Sequence, residues 1–176
     1  MTKFPIPDGV FLNWNISRSK YKPVSSEITE ILTKHKAWIN GEINGKKADL
    51  SNADLSGANL GYANLYGAYL RDADLSGATL RNTGLSRANL MDADLTGANL
   101  TGANLNYANL WCANLTNAYL THADMRYANL WAADLTLANL RWANLRYADL
   151  SFADLSGADL TGADLFGANL TGVKGL

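Results

Sequence analysis

Two histidines, one cysteine and 16 acidic side chains are the groups in this 176-residue chain that could transfer protons, attack a substrate or ligate a metal. They do not assemble into a catalytic set along the sequence. His35 and His122 have no clear partner for general acid–base work. Cys112 follows Trp111 and is a candidate reactive thiol, but one cysteine forms neither an intramolecular disulfide nor a thiolate metal cluster. Neither GxGxxG nor GxxxxGK[ST] occurs, so no phosphate-cradling loop is present. The aspartates recur at a fixed spacing, as parts of a repeat. The chain is therefore read as non-enzymatic, with no cofactor and no metal.

Charge and termini narrow the class further. Fifteen basic residues against 16 acidic ones give a net charge of -1. A general nucleic-acid binder carries a basic excess, so nucleic acid is an unfavoured partner. A strongly acidic mimic of DNA is disfavoured on the same balance. Val10-Phe11-Leu12 is too short for a signal-peptide core, and Pro5 and Pro7 precede it. No run reaches the roughly 18 apolar residues of a membrane helix. These features lead to the expectation of a cytoplasmic protein without a membrane partner.

The elements that position these groups are written in a period of five. From Leu50 to Leu170, 25 positions fall five apart; leucine fills all but Met125. Alanine stands two residues earlier from Ala48 to Ala168, except at Thr83, and the residue between is usually Asp or Asn. On a helix this spacing would carry the leucines all round the axis. On a flat strand it would send successive leucines to opposite sides. The chain must instead turn once per quintet, keeping leucine and alanine inside. Four turns close a coil of about 20 residues in which neighbouring coils pair through their backbones.

Quintets such as Ala53-Asp54-Leu55-Ser56-Gly57 and Ala103-Asn104-Leu105-Asn106-Tyr107 resemble the pentapeptide-repeat family, whose motif is A(D/N)LXX. The likeness runs from Ala48 to Gly172. It implies an all-β solenoid, a right-handed quadrilateral β-helix of about six coils and, at the spacing of stacked strands, about 30 Å in length. Thr83-Gly84 breaks the motif and reads either as a kink or bulge or as a plain substitution.

The expected division is residues 1–45 as an N-terminal cap, with a helix at about 25–39, and residues 46–176 as the β-helix. Ser25 or Ser26 suits the helix N-cap, and Glu27 and Glu30 suit its first turn. Ile28, Ile31, Leu32, His35, Trp38 and Ile39 share one face, which should cover the first coil. Phe11, Leu12 and Trp14 are candidates for packing there. The stretch from Ile31 to Ile39 also resembles a leader found before many bacterial members. No capping helix follows Thr171. The expected state is a monomer or an end-to-end homodimer through the C-terminal coil, although gyrase-targeting relatives dimerise through an extension that this chain lacks.

Residues 20 apart should form outward columns. One reads Asp54, Asp74, Asp94, Asn114, Asp134, Asp154; across a corner lie Asn52, Asp72 and Asp92. This acidic stripe is a docking strip for a basic partner, or its short side chains bond local turn amides. A second column reads Arg87, Tyr107, Tyr127, Tyr147, beside Met91, Trp111 and Trp131, with Arg126, Arg146 and Phe152 close by and Arg141 and Trp142 one face away. Tyr107, Trp111, Arg126, Tyr127, Trp131, Trp142, Arg146 and Tyr147 form the candidate protein-interaction patch. Stacked rings would equally stabilise the rod as a ladder. The sequence thus points to a protein-binding or scaffolding module whose partner it does not identify. The alternative, implied by resemblance to the quinolone-resistance branch, is a DNA-mimic-like protein that interacts with the topoisomerase DNA gyrase.

Overall fold

The computed structural model describes residues 21–176; Phe11, Leu12 and Trp14 lie outside them. From Ala48 onward the chain winds with a period of 20. Parallel bridges join Asp49 to Tyr69, Asp54 to Asp74, Asn59 to Thr79 and Asn64 to Gly84, and the same step repeats down to Asp154 and Lys174. Four quintets make one coil, so each coil has four faces and four corners.

Every corner is built alike. The amide of each quintet's alanine donates to the preceding leucine carbonyl, as in Ala103 to Leu100 at 2.9 Å. The second residue after leucine takes a positive φ, for instance 57° at Tyr107 and 68° at Gly102. These are type II turns, which require that conformation at their third position. The flat segments between corners bond to the coils on either side: Leu105 N–H donates to Asp124 and Asn104 N–H to Thr83. Strand pairing therefore runs along the rod axis, and isolated three-residue faces satisfy their backbones through their neighbours.

The core is the stack of leucines and alanines. Leu65 to Leu155 at every fifth position are at most 1% exposed, and Met125 is fully buried in the one leucine slot it occupies. Each such leucine contributes about 1.5–3 kcal/mol relative to exposure. Thr83 is also buried, and its Oγ1 donates to the Leu60 carbonyl at 2.9 Å. Gly84 keeps the bridges to Asn64 and Asn104. The register passes through this break unaltered, so it is a substitution within a regular coil.

Among the described residues one helix, α1 (Ser25–Ile39), precedes the coils. Ile28, Ile31 and Leu32 pack on the core. The expected serine cap is not used. Val24 is the N-cap, in extended conformation after Pro23, and its N–H donates to Glu27 Oε2 at 2.8 Å. Glu27 thus supplies one half of a capping box, accepting the N-cap amide, while no side chain at the cap position accepts a first-turn amide. His35 is fully buried; its Nδ1 accepts from Ala48 N–H at 3.0 Å and its ring stacks on Trp38 at 5.4 Å. That bond ties the helix to the first residue of the leucine–alanine core. Among the described residues no helix is long and apolar enough to cross a membrane.

Candidate functional site

Two adjoining corners carry the aromatic residues, and the turn geometry aims them. The second corner residue projects outward with positive φ, and the next coil places an identical position beneath it. Tyr107, Tyr127 and Tyr147 occupy three successive second positions. Their rings stack at 4.8 and 5.1 Å with interplanar angles of 4° and 11°. The spacing is that of the strands themselves. Arg87 lies 5.4 Å from the Tyr107 ring at one end, and Phe166 meets Tyr147 edge-on at 5.7 Å at the other.

Across the face that bears Asn109 and Asn129 stands the second column. Trp111 and Trp131 stack at 5.4 Å, and Phe152 closes the stack edge-on at 5.7 Å from Trp131. The two tryptophans are half-buried, whereas the three tyrosines are 44–54% exposed. Asn109 and Asn129 accept from Trp111 and Trp131 amides at 3.2 and 3.0 Å, fixing the corner that carries the indoles. Phe166 extends the patch beyond the residues the sequence singles out. A 20-residue step from Arg146 leads to it, so the signal is present in the spacing.

The rings spend their faces on one another. What reaches solvent is a row of edges and phenolic oxygens. A base needs a free π face to stack on, so this ladder suits contacts along its edge better than nucleic-acid stacking. The arginines are engaged too. Arg126 holds Asp124 through Nε and Nη2 at 2.8 and 2.7 Å. Arg146 pairs with Asp164 at 3.0 Å and lies 4.5 Å from the Phe166 ring. These contacts keep Asp164 below its ordinary range, the Phe166 amide first and Arg146 next. Trp142 belongs to another corner, one face away, beside Arg141, which pairs with Asp159 at 3.2 Å. The structure joins seven of the eight patch residues on two corners and sets Trp142 apart.

The acidic stripe is laid out as the spacing requires, with Asp54, Asp74 and Asp94 bridged in sequence and Asp134 bridged to Asp154. Their Oδ1 atoms accept from the amides of Ser56, Ser76, Thr96, Thr136 and Ser156 at 2.9–3.0 Å. One oxygen of each thus braces its own turn. Ser56 holds the Asp54 carboxyl below its ordinary range, helped by Lys22 at 3.3 Å. Ser156 does the same for Asp154. Round the corner, Arg71 stands 3.3 Å from Asp72 and 3.5 Å from Asp92. Burial, and then the Asp72 charge, raise the Asp92 carboxyl against that arginine.

Cys112 does not fit the expectation of a reactive thiol. It is half-buried beneath Asp92, and burial first, that carboxylate second, push it up to about 11. A thiol in that range is almost wholly protonated at neutral pH. Among the described residues no group of three or more His, Cys, Asp or Glu could hold a metal.

Regular coiling around a leucine stack, with an ordered side-chain lattice outside, defines a repeat solenoid. The pentapeptide repeats profile matches in eight copies, over residues 48–87, 68–106, 83–121, 98–136 and 133–172. The chain belongs to the pentapeptide-repeat family. The crystal structure of HetL, a pentapeptide repeat protein involved in heterocyst differentiation regulation from Nostoc sp. strain PCC 7120, is 40% identical, with a TM-score of 0.50 over 73% of this chain and 70% of that one. Rfr23 from Cyanothece 51142 is 32% identical over 70% and 68%, with a TM-score of 0.35. QnrB1, a plasmid-mediated fluoroquinolone resistance protein, is 21% identical over 72% and 80%, with a TM-score of 0.43. No curated protein matches the sequence significantly.

Proposed function

We propose that this protein is a non-catalytic scaffold, a right-handed quadrilateral β-helix that presents its tyrosine–tryptophan edge to a protein partner. The supporting observation is the pair of ordered aromatic columns on adjoining corners, with stacked rings and exposed edges. Tyrosine and tryptophan contribute large contact area at low entropic cost, and the stack has already fixed their rotamers. The guanidinium groups of Arg126 and Arg146 are held by Asp124 and Asp164, so they border the patch without adding net charge. An aromatic edge on which Arg126 and Arg146 are paired and Arg87 alone ends the tyrosine column suits a protein surface better than a polyphosphate.

Alanine replacement of Tyr127 and Trp131 together tests the reading. Tagged wild type should retain partners from the source lysate that the double variant loses, while both give the same circular dichroism spectrum. Identical partner lists would refute it. A supercoiling assay with purified gyrase tests the other class. A scaffold that acts through its aromatic edge should leave supercoiling unchanged over a wide concentration range, and concentration-dependent inhibition would replace it with the topoisomerase reading.

A further inference from the structure

The coil that breaks the repeat motif carries a notch that the aromatic edge does not use. At the middle position of most quintets an Asp or Asn turns Oδ1 onto the amide two residues ahead. On the face bearing Asn64, Gly84 and Asn104, glycine removes that side chain from the second coil. Tyr66 N–H above donates to Asn64 Oδ1 at 3.1 Å, and Asn106 N–H below donates to Asn104 Oδ1 at 3.1 Å. Ser86 N–H, the equivalent donor between them, has lost its acceptor with the side chain. The Ser86 hydroxyl donates elsewhere, to Asn104 Oδ1 at 2.9 Å.

The gap is part of an open groove of about 480 Å³ lined by Ile39, Asn64, Tyr66, Gly84, Ser86 and Asn104. Its side-chain chemistry is one-sided. The Asn64 and Asn104 oxygens are committed, which leaves their Nδ2 groups, with Ser86 N–H, as donors. Among the described residues no carboxylate lines the groove. Ile39 and Tyr66 supply apolar walls at the end nearest α1.

We propose that this notch binds an aspartate side chain presented by a partner polypeptide, whose carboxylate takes the place of the missing repeat residue. One oxygen accepts from Ser86 N–H, as Asn64 and Asn104 do for their own turns, and the other accepts from a flanking asparagine amide. The notch lies on the face that ends in the tyrosine corner, with Ser86 next to Arg87, whose guanidinium lies over the Tyr107 ring; its chemistry is distinct from that of the rings.

The test uses the full chain and blocked single amino acids at constant ionic strength. N-acetyl-aspartate N-methylamide is titrated into ¹⁵N-labelled protein. The Ser86 amide should shift and saturate, with a midpoint of about 1–10 mM. The blocked alanine should leave it in place, and the blocked asparagine should bind at least several-fold more weakly. Gly84→Asn restores the repeat and fills the notch from within. Gly84 does not have positive φ, and a Cβ there meets Asn64 Oδ1 at 3.3 Å, so only that carboxamide must give slightly. In this variant the aspartate-dependent shift should vanish. No saturable shift in the wild type, an equal shift in Gly84→Asn, or equal binding of the blocked asparagine would overturn the proposal.

Discussion

Replacing Gly162 by alanine should destabilise the rod more than the same change at Gly97, and the difference measures how side chains lean along the axis. Both glycines have positive φ, 73° and 64°. Each substitution therefore carries the left-handed penalty of about 1–2 kcal/mol. A Cβ on Gly97 meets nothing within 4 Å, whereas one on Gly162 would fall inside the Trp142 indole. Trp142 is 55% exposed. Somewhat under half of its surface, roughly 100 Å², is thus covered, worth up to about 2.5 kcal/mol. Displacing it should cost Gly162→Ala about 1–2 kcal/mol beyond Gly97→Ala. Urea denaturation followed by far-ultraviolet circular dichroism reads both. In the Trp142→Ala background the excess should disappear, since no ring remains to be displaced. Equal losses for the two glycine variants, or an excess that survives removal of the indole, would refute the packing argument. The same logic covers the other corners of that coil. Leu137, Tyr147 and Phe152 lie over Gly157, Gly167 and Gly172, where a Cβ would come within 2.6–2.8 Å.

Further outcomes follow from the core and the cap. Leu105→Ala, at a fully buried site, should cost about 2–5 kcal/mol in the same denaturation assay, and a loss below about 1 kcal/mol would place that side chain outside a packed stack. His35 has its proton affinity lowered by burial first and by Lys47 second, from an ordinary value near 6.5. The unfolded chain therefore takes up this proton more readily than the folded one. The stabilising contribution is complete above pH 6.5 and falls away as the pH drops through and below it. Lys47, which lies over Trp38 and Tyr69 at 5.6 and 3.9 Å, is the charge facing the ring. Melting curves from about pH 8 to pH 5 should show this loss and His35→Phe should flatten it; parallel profiles would contradict the assignment. Iodoacetamide should modify Cys112 in the folded protein far more slowly than in urea at about pH 8, and comparable rates would contradict its raised thiol pKa.

The leucine period makes the coil legible because a five-residue step admits no regular helix or strand. Columns follow by counting in twenties, and Tyr107, Tyr127 and Tyr147 stack as that arithmetic requires. Counting does not tell how a side chain spends its atoms. Asp54, Asp74 and Asp94 stand in line, yet each turns an oxygen onto its own corner. Arg141 and Arg146 reach 18 residues ahead, to Asp159 and Asp164, a diagonal that depends on rotamer choice. Cys112 projects from a corner, and its burial comes from packing by neighbours that spacing alone does not reveal. The helix N-cap is hidden from residue type because two serines are better caps than valine, while the observed cap contact is made from inside the helix, by Glu27 accepting the Val24 amide.

The coil itself is tested most directly by cross-linking. With Cys112 replaced by serine, cysteines are placed at Asn99 and Tyr119, which are bridged between adjacent coils, or at Asn99 and Asn114, which sit on different faces. Adjacent paired strands hold Cα atoms about 5 Å apart, within the span of a disulfide. Mild oxidation should close the 99–119 pair rapidly and within one molecule, and leave the 99–114 pair open. Equal or reversed rates would show that the chain does not return to the same face every twenty residues.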